Sequence, residues 1–175
     1  MIVYDVQDLV KVYPGQTEPA NKNITLQIRQ GEIFGLLGAN GAGKSTLVRQ
    51  MANLLRSTSG RITLFGQPVG QDPLHVPINV GYMPQESHAL NNLTVGEALY
   101  FTAHLRGMSR AAARRERETL LELWQIQDLR AKYSSRLSGG QRRMLRLAVA
   151  MAGSAPVLVL DEPTNDLDPQ RRKLV

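Results

Sequence analysis

The chain has no cysteine. Disulfides, thiolate metal sites and cysteine nucleophiles are therefore excluded, and a reducing compartment suits it. No apolar run approaches the roughly 20 residues that cross a bilayer as a helix. Met1 leads straight into a strand-like segment with no charged-then-apolar leader, which points to the cytoplasm. Internal repeats, low-complexity segments, sustained heptads and long tails of one charge sign are also missing. What is there is 175 residues, 42% hydrophobic and 21% charged, the composition of a soluble globular protein with chain enough for one cored domain. The net charge of +6 would serve a nucleic-acid binder, a polyphosphate binder or a protein beneath an anionic membrane, and does not choose among them.

Against those absences stands a glycine-rich run, Gly38-Ala39-Asn40-Gly41-Ala42-Gly43-Lys44-Ser45-Thr46. It fits G-x-x-x-x-G-K-[ST], with a continuous apolar stretch, Ile33–Leu37, expected to enter as a buried strand and a helix expected to leave near Lys44. The glycines at 38, 41 and 43 permit positive φ and turn successive N–H groups inward, and the helix aims its positive end at the same anion. Lys44 would reach the β- and γ-phosphates and the Ser45 hydroxyl would ligate Mg²⁺. A glycine-rich strand-to-helix turn with a solvated lysine is the plainer alternative, and the agreement of both flanks argues against it.

Before this run, Ile2 to Tyr13 reads as a strand ending at Pro14-Gly15, and Ile24 to Ile28 alternates as a half-buried antiparallel strand. After it, Leu47, Met51, Leu54 and Leu55 fall on one helical face. Arg61 to Phe65 reads as a strand, residues 67 to 79 as loop, and Val80 to Met83 as a short strand running into Pro84-Gln85-Glu86. From residue 87 to 136 the pattern turns helical. Thr94 and Glu97 form a capping box, the helix should stop near Gly107, and Ser109 should cap a second helix that buries Leu120, Leu121, Leu123 and Trp124. Leu137 to Gln141 opens a helix through about Met151, and Val157 to Leu160 is an apolar strand ending in Asp161-Glu162.

Four aliphatic residues before an acid fix that carboxylate at the strand's C-terminal edge, where open α/β sheets hold their ligands. Asp161 would hold Mg²⁺ and Glu162 would orient or deprotonate an attacking water. An Asp-Glu pair after a strand is otherwise a surface turn, and the phosphate loop tips the reading toward function. Ser138-Gly139-Gly140-Gln141 offers a second anion site at a helix N-terminus, or a helix cap. Two such sites in one small domain make sense when one copy's serine-glycine end completes the site of another copy.

These residues resemble the nucleotide-binding domain of an ABC transporter. Gly38 to Thr46 matches the family's Walker A motif, Leu137 to Gln141 its LSGGQ signature without a change, and Val157 to Glu162 its Walker B. Gln85 lies where the family's Q-loop glutamine sits, which implies catalytic and Mg²⁺-binding roles, and Asn165 to Asp168 fits the D-loop. Tyr13 is placed like the aromatic that stacks on adenine, a role suited to the sequence tolerance of base stacking, although a strand tyrosine is ordinarily core. The resemblance implies an α/β P-loop NTPase fold, with a mixed sheet flanked by helices, an N-terminal antiparallel β part and a helical insert. Residues 1–175 would then form a single domain, with 1–86 and 137–175 as the ATPase core and 87–136 as the helical subdomain.

It further implies ATP and Mg²⁺ as cofactors, with Glu162, Gln85 and Lys44 catalytic and Ser45, Gln85 and Asp161 on the metal. Tyr13, Gly38, Asn40, Gly41, Ala42, Gly43, Lys44, Ser45 and Thr46 would hold the nucleotide, joined by Ser138, Gly139, Gly140 and Gln141 of a second ATPase domain, in a homo- or heterodimer. An integral membrane permease would dock near Gln85 and residues 87–107, placing the chain on the inner face of the cell membrane, with export suggested by the pattern around Arg136 to Met144 and Pro163 to Pro169. No direct contact with nucleic acid is expected. The alternative is an ABC-type ATPase acting on ribosomes or nucleic acid. Arg142, Arg143 and Arg146 read as a solvated helix face. The family's switch histidine would lie beyond the D-loop, and His75, His88 and His104 all precede Walker B. The domain is accordingly expected to be incomplete and of low ATPase activity.

Overall fold

The computed structural model describes residues 1–85 and 88–163. Its chain falls into two compact units, Met1–Pro77 and Ile78–Val175. The D-loop match at 165–168 lies outside the described residues.

In the first unit, β1 (Ile2–Lys11) is the centre of an antiparallel sheet with β2 (Asn21–Arg29), β3 (Ser59–Leu64) and β4 (Gln67–Pro68), in the order β2-β1-β3-β4. Tyr4, Val6 and Leu9 of β1 and Ile62 and Leu64 of β3 are buried. Each fully buried aliphatic side chain of this kind contributes about 1.5–3 kcal/mol relative to exposure. Helix α1 (Lys44–Met51) buries Leu47 and Met51, and the Tyr4 hydroxyl donates to the Met51 carbonyl at 3.1 Å. Burial raises the Tyr4 phenol above its ordinary pKa, so it remains the donor in that bond.

Three expectations are corrected here. Residues 33–37 form no strand, and Ile33 and Leu37 are 99% and 93% exposed. An apolar run encodes the need for burial but not its ladder partners, and no strand pairs with this one among the described residues. Helix α1 ends at Met51, because Asn53 adopts φ 55, so Leu54 leaves the predicted face and is 65% exposed. Residues 67–79 are not all loop. They contain β4 and the one-turn helix α2 (His75–Asn79), whose His75 ring is hydrogen-bonded to the Leu64 carbonyl at 2.9 Å.

The second unit pairs β5 (Val80–Met83) with β6 (Val157–Leu160) in parallel, register Val80 to Val157 and Met83 to Leu160. The ladder runs one bond further, from the Asp161 N–H to the Met83 carbonyl. Around it lie α3 (Val95–Leu105), α4 (Arg110–Leu123) and α5 (Gly139–Met151). The Thr94–Glu97 capping box is present, and Ser109 caps α4. Hydrogen bonds from the Thr94 backbone and hydroxyl lower the Glu97 carboxyl below its usual range. Leu99, Leu120, Leu121, Trp124, Met144, Leu145 and Leu147 share one core, whereas Leu123 points away and is 54% exposed.

Arg106, just past α3, is the polar centre of this unit. Its guanidinium donates to the Val80 carbonyl of β5 at 3.1 Å and to the Val149, Ala150 and Ala152 carbonyls at the end of α5. Three of these acceptors lie in or beside the last turn of α5, where the helix leaves carbonyls unpaired and its dipole favours a cation. Burial pulls the Arg106 pKa downward from its ordinary value.

Candidate functional site

The glycine-rich loop ends in Gly43, which is the N-cap of α1 at φ 85. A Cβ here would stand 2.1 Å from the Ala20 carbonyl oxygen and 2.6 Å from Asn21 Nδ2, so glycine is required on two counts. Asn21 donates to the Gly43 carbonyl at 3.0 Å and anchors the loop to β2. The Lys44 ammonium donates to the Gly38 and Ala39 carbonyls at 2.7 and 2.8 Å, closing the loop on itself. Ser45 and Thr46 follow in the first turn of α1.

Tyr13 is brought to this loop. Its hydroxyl is hydrogen-bonded to the Thr46 hydroxyl at 3.2 Å, and the Lys11 ammonium stands 5.3 Å from its ring centroid. The ring is half-buried beside the glycine-rich loop, the place the family resemblance expects of an adenine-stacking aromatic. Tyr13→Ala is therefore expected to weaken binding of a fluorescent adenine nucleotide about tenfold, within the ~1–3 kcal/mol that stacking provides. Tyr13→Phe should keep affinity within about twofold. Equal loss in both variants would assign the effect to the hydroxyl rather than the ring.

In the second unit the carboxylates emerge from β6 as the sequence implied. Asp161 is buried, at 9% exposure, and Glu162 follows with φ 52. A left-handed backbone at a non-glycine residue costs on the order of 1–2 kcal/mol, and such strain persists only where surroundings hold it. The Gln85 amide donates its Nε2 to a Glu162 carboxylate oxygen at 3.0 Å. The amide oxygen, the atom a Mg²⁺ ion would take, is not the one used in that bond.

Arg143 departs from the solvated helix face expected of it. It is 3% exposed rather than solvated, and its guanidinium donates to the Glu162 carbonyl and, at 3.4 Å, to the Gln85 carbonyl. Arg146 adds a bond to the same Gln85 carbonyl at 2.9 Å. The available signal was helical spacing: residues 143, 147 and 150 follow i, i+4, i+7, so Arg143 shares the buried stripe of Leu147 and Ala150.

At the N-terminus of α5 the Ser138 hydroxyl accepts from the Gln141 N–H at 3.3 Å, while the Gln141 side chain accepts from the Ser138 N–H at 3.1 Å. This is a complete capping box. The hydroxyl's own proton is not used in it, so capping and anion binding are compatible. No group of three or more His, Cys, Asp or Glu capable of holding a metal occurs among the described residues. Asp161 and Gln85, both in the second unit, carry hard oxygen donors of the kind that suits an ion such as Mg²⁺.

Comparison with known proteins places the chain in a family. A family model described as ABC transporter matches residues 21–165. The retinal-specific phospholipid-transporting ATPase ABCA4 of Mus musculus is 39% identical over 178 residues, covering 99% of this chain and 8% of its own length. Among solved structures, an ATP-binding subunit of an ABC transporter superposes with a TM-score of 0.89 at 26% identity, covering 98% of this chain and 71% of that one. The dimeric structure of a bacterial ABC transporter cassette shares the fold at TM-score 0.89 and 24% identity, covering 98% and 78%. The chain thus spans less than a tenth of the mammalian relative and most of an isolated cassette. On the match across residues 21–165 and the likeness to these relatives, the chain belongs to the ABC transporter family, as its ATP-binding domain.

Proposed function

We propose that this domain binds and hydrolyses MgATP in a head-to-tail dimer and that hydrolysis drives export through a membrane permease. The observation that carries hydrolysis, rather than binding alone, is Glu162: a carboxylate at the end of β6, on a strained backbone, met by the Gln85 amide. A pure nucleotide binder has no use for such a group.

In this reading the N–H groups of Gly41 to Ser45 and the Lys44 ammonium hold the phosphates, and Tyr13 stacks on the adenine. Ser45, Asp161 and Gln85 offer oxygens to Mg²⁺, which when bound would offset charge on the β- and γ-phosphates. Glu162 accepts the proton of the attacking water. Ser138 to Gln141 of a second ATPase domain donate to the γ-phosphate from the opposite side. Residues 1–86 and 137–175 serve as the ATPase core, and 87–136 as the helical part that meets the permease at the inner face of the membrane. No helix among the described residues is long and apolar enough to cross a membrane. The mouse relative's name, a phospholipid-transporting ATPase, makes a membrane lipid the first cargo to assay.

The test is purification of the full-length protein from its own cells in mild detergent. Recovery of a polytopic membrane segment or subunit in equal amount with the ATPase is expected. Ribosomes or nucleic acid in its place, with the membrane fraction bare, would overturn the transport reading.

A further inference from the structure

We infer that Arg143 is a positioning residue for hydrolysis, fixing the backbones of Glu162 and Gln85 so that their side chains meet in the productive arrangement. The inference rests on the hydrolytic reading above and adds to it a residue from the signature helix. Three observations carry it. Arg143 is a guanidinium withdrawn almost wholly from solvent, at 3% exposure. It lies in a helix whose neighbouring buried positions are Met144, Leu145, Leu147, Ala148 and Ala150. A charge is not placed there without partners, and its Nη2 and Nη1 reach the carbonyls of Glu162 and Gln85.

Those two residues are 77 positions apart, and their side chains are themselves bonded to each other. One fork therefore spans the strand end that carries the base and the loop that carries the glutamine. Its planar, rigid donor geometry suits holding two acceptors at a set separation. Arg146, one turn along α5, bonds the Gln85 carbonyl a second time.

The left-handed backbone of Glu162 gives the fork its purpose. Left to itself, an L-residue there relaxes to negative φ, and the carboxylate swings with it. A bond to the Glu162 carbonyl opposes that rotation, because the carbonyl would turn away from the guanidinium. Arg143 acts through Glu162 and Gln85 and touches no reacting atom.

The consequence is a specific kinetic signature in the full-length protein. Arg143→Met, which keeps the aliphatic packing, should lower kcat by about 10- to 100-fold, the scale on which a misplacement of about 1 Å acts. KM and the affinity for a fluorescent ATP analogue should stay within about twofold, since neither carbonyl holds nucleotide. Arg143→Lys should recover part of the loss, because an ammonium can satisfy one carbonyl but not both. Arg146→Met, at a more exposed position, should lower kcat less, and it carries the test should Arg143→Met fail to fold. In a Glu162→Gln background, Arg143→Met should reduce residual turnover no further, as expected of groups acting as a unit. The role is overturned if both single variants turn over ATP within twofold of the parent, or if Arg143→Met lowers the Glu162→Gln residue of activity by its full single-variant factor. A parent that binds ATP and never hydrolyses it overturns the hydrolytic reading itself, a separate outcome visible before any variant is made.

Discussion

Glu162→Gln is expected to reduce phosphate release by at least ~100-fold, the lower range of what a positioned general base provides, while leaving nucleotide affinity within about twofold. Gln is nearly isosteric with Glu. Its amide oxygen can still accept the Gln85 Nε2, and the Arg143 bond to the residue's carbonyl does not involve the side chain. The local geometry is therefore retained and only the proton acceptor is lost. The proposed head-to-tail dimer should also accumulate in ATP, measurable as a shift in sedimentation. Turnover surviving within tenfold of the parent would place the base elsewhere and reduce Glu162 to a strained surface residue.

Gly81→Ala should be the most damaging single methyl in the second unit. Glycine 81 sits in β5 where α5 crosses, and an added Cβ would lie 1.9 Å from the Ala150 carbonyl oxygen, 2.9 Å from its carbon and 2.8 Å from Leu158 Cδ2. Two of the three obstacles are helix backbone and cannot rotate aside. Either α5 lifts from β5 or β5 leaves β6, and both strip core contacts around Met83 and Leu147. Overpacking costs about 1–3 kcal/mol where side chains can adjust, and more where they cannot. A loss of about 3 kcal/mol or more is expected, lowering the melting temperature by about 10 °C for a chain this size. Gly139→Ala is the control: nothing lies within 4 Å of its Cβ position, so thermal stability should hold or rise. Equal melting temperatures for Gly81→Ala and the parent would show that α5 does not press on β5 as closely as the structure has it.

How much of this was legible in the sequence depended on the range of the interaction. The Thr94–Glu97 capping box is local, three residues apart, and is present as written, and the helix cap that was one reading of Ser138–Gln141 is a full capping box. The same holds for β5, β6 and the start of α1 at Lys44, each marked by its own residues and by the turn beside it. Ile33 to Leu37 misled because a buried parallel strand is defined by neighbours that the run itself does not encode. Leu54 misled because periodicity continued past a helix that Asn53 had already ended through φ 55. Arg143 was the costliest misreading. Its charge suggested solvent, while its spacing with Leu147 and Ala150 pointed inward, and only the main-chain carbonyls of residues 85 and 162 reconcile the two.

Arg106 has a mechanical consequence. Because one guanidinium binds the carbonyls at the end of α5 and that of Val80 in β5, the end of α3 is tied to both by a stiff, planar link in addition to the shared apolar core. The other end of α5 is capped by Ser138, and its buried side carries Arg143. Three elements, α3, α5 and β5, are thus pinned at one cation, so Arg106→Met should loosen all three together, read as a drop in melting temperature.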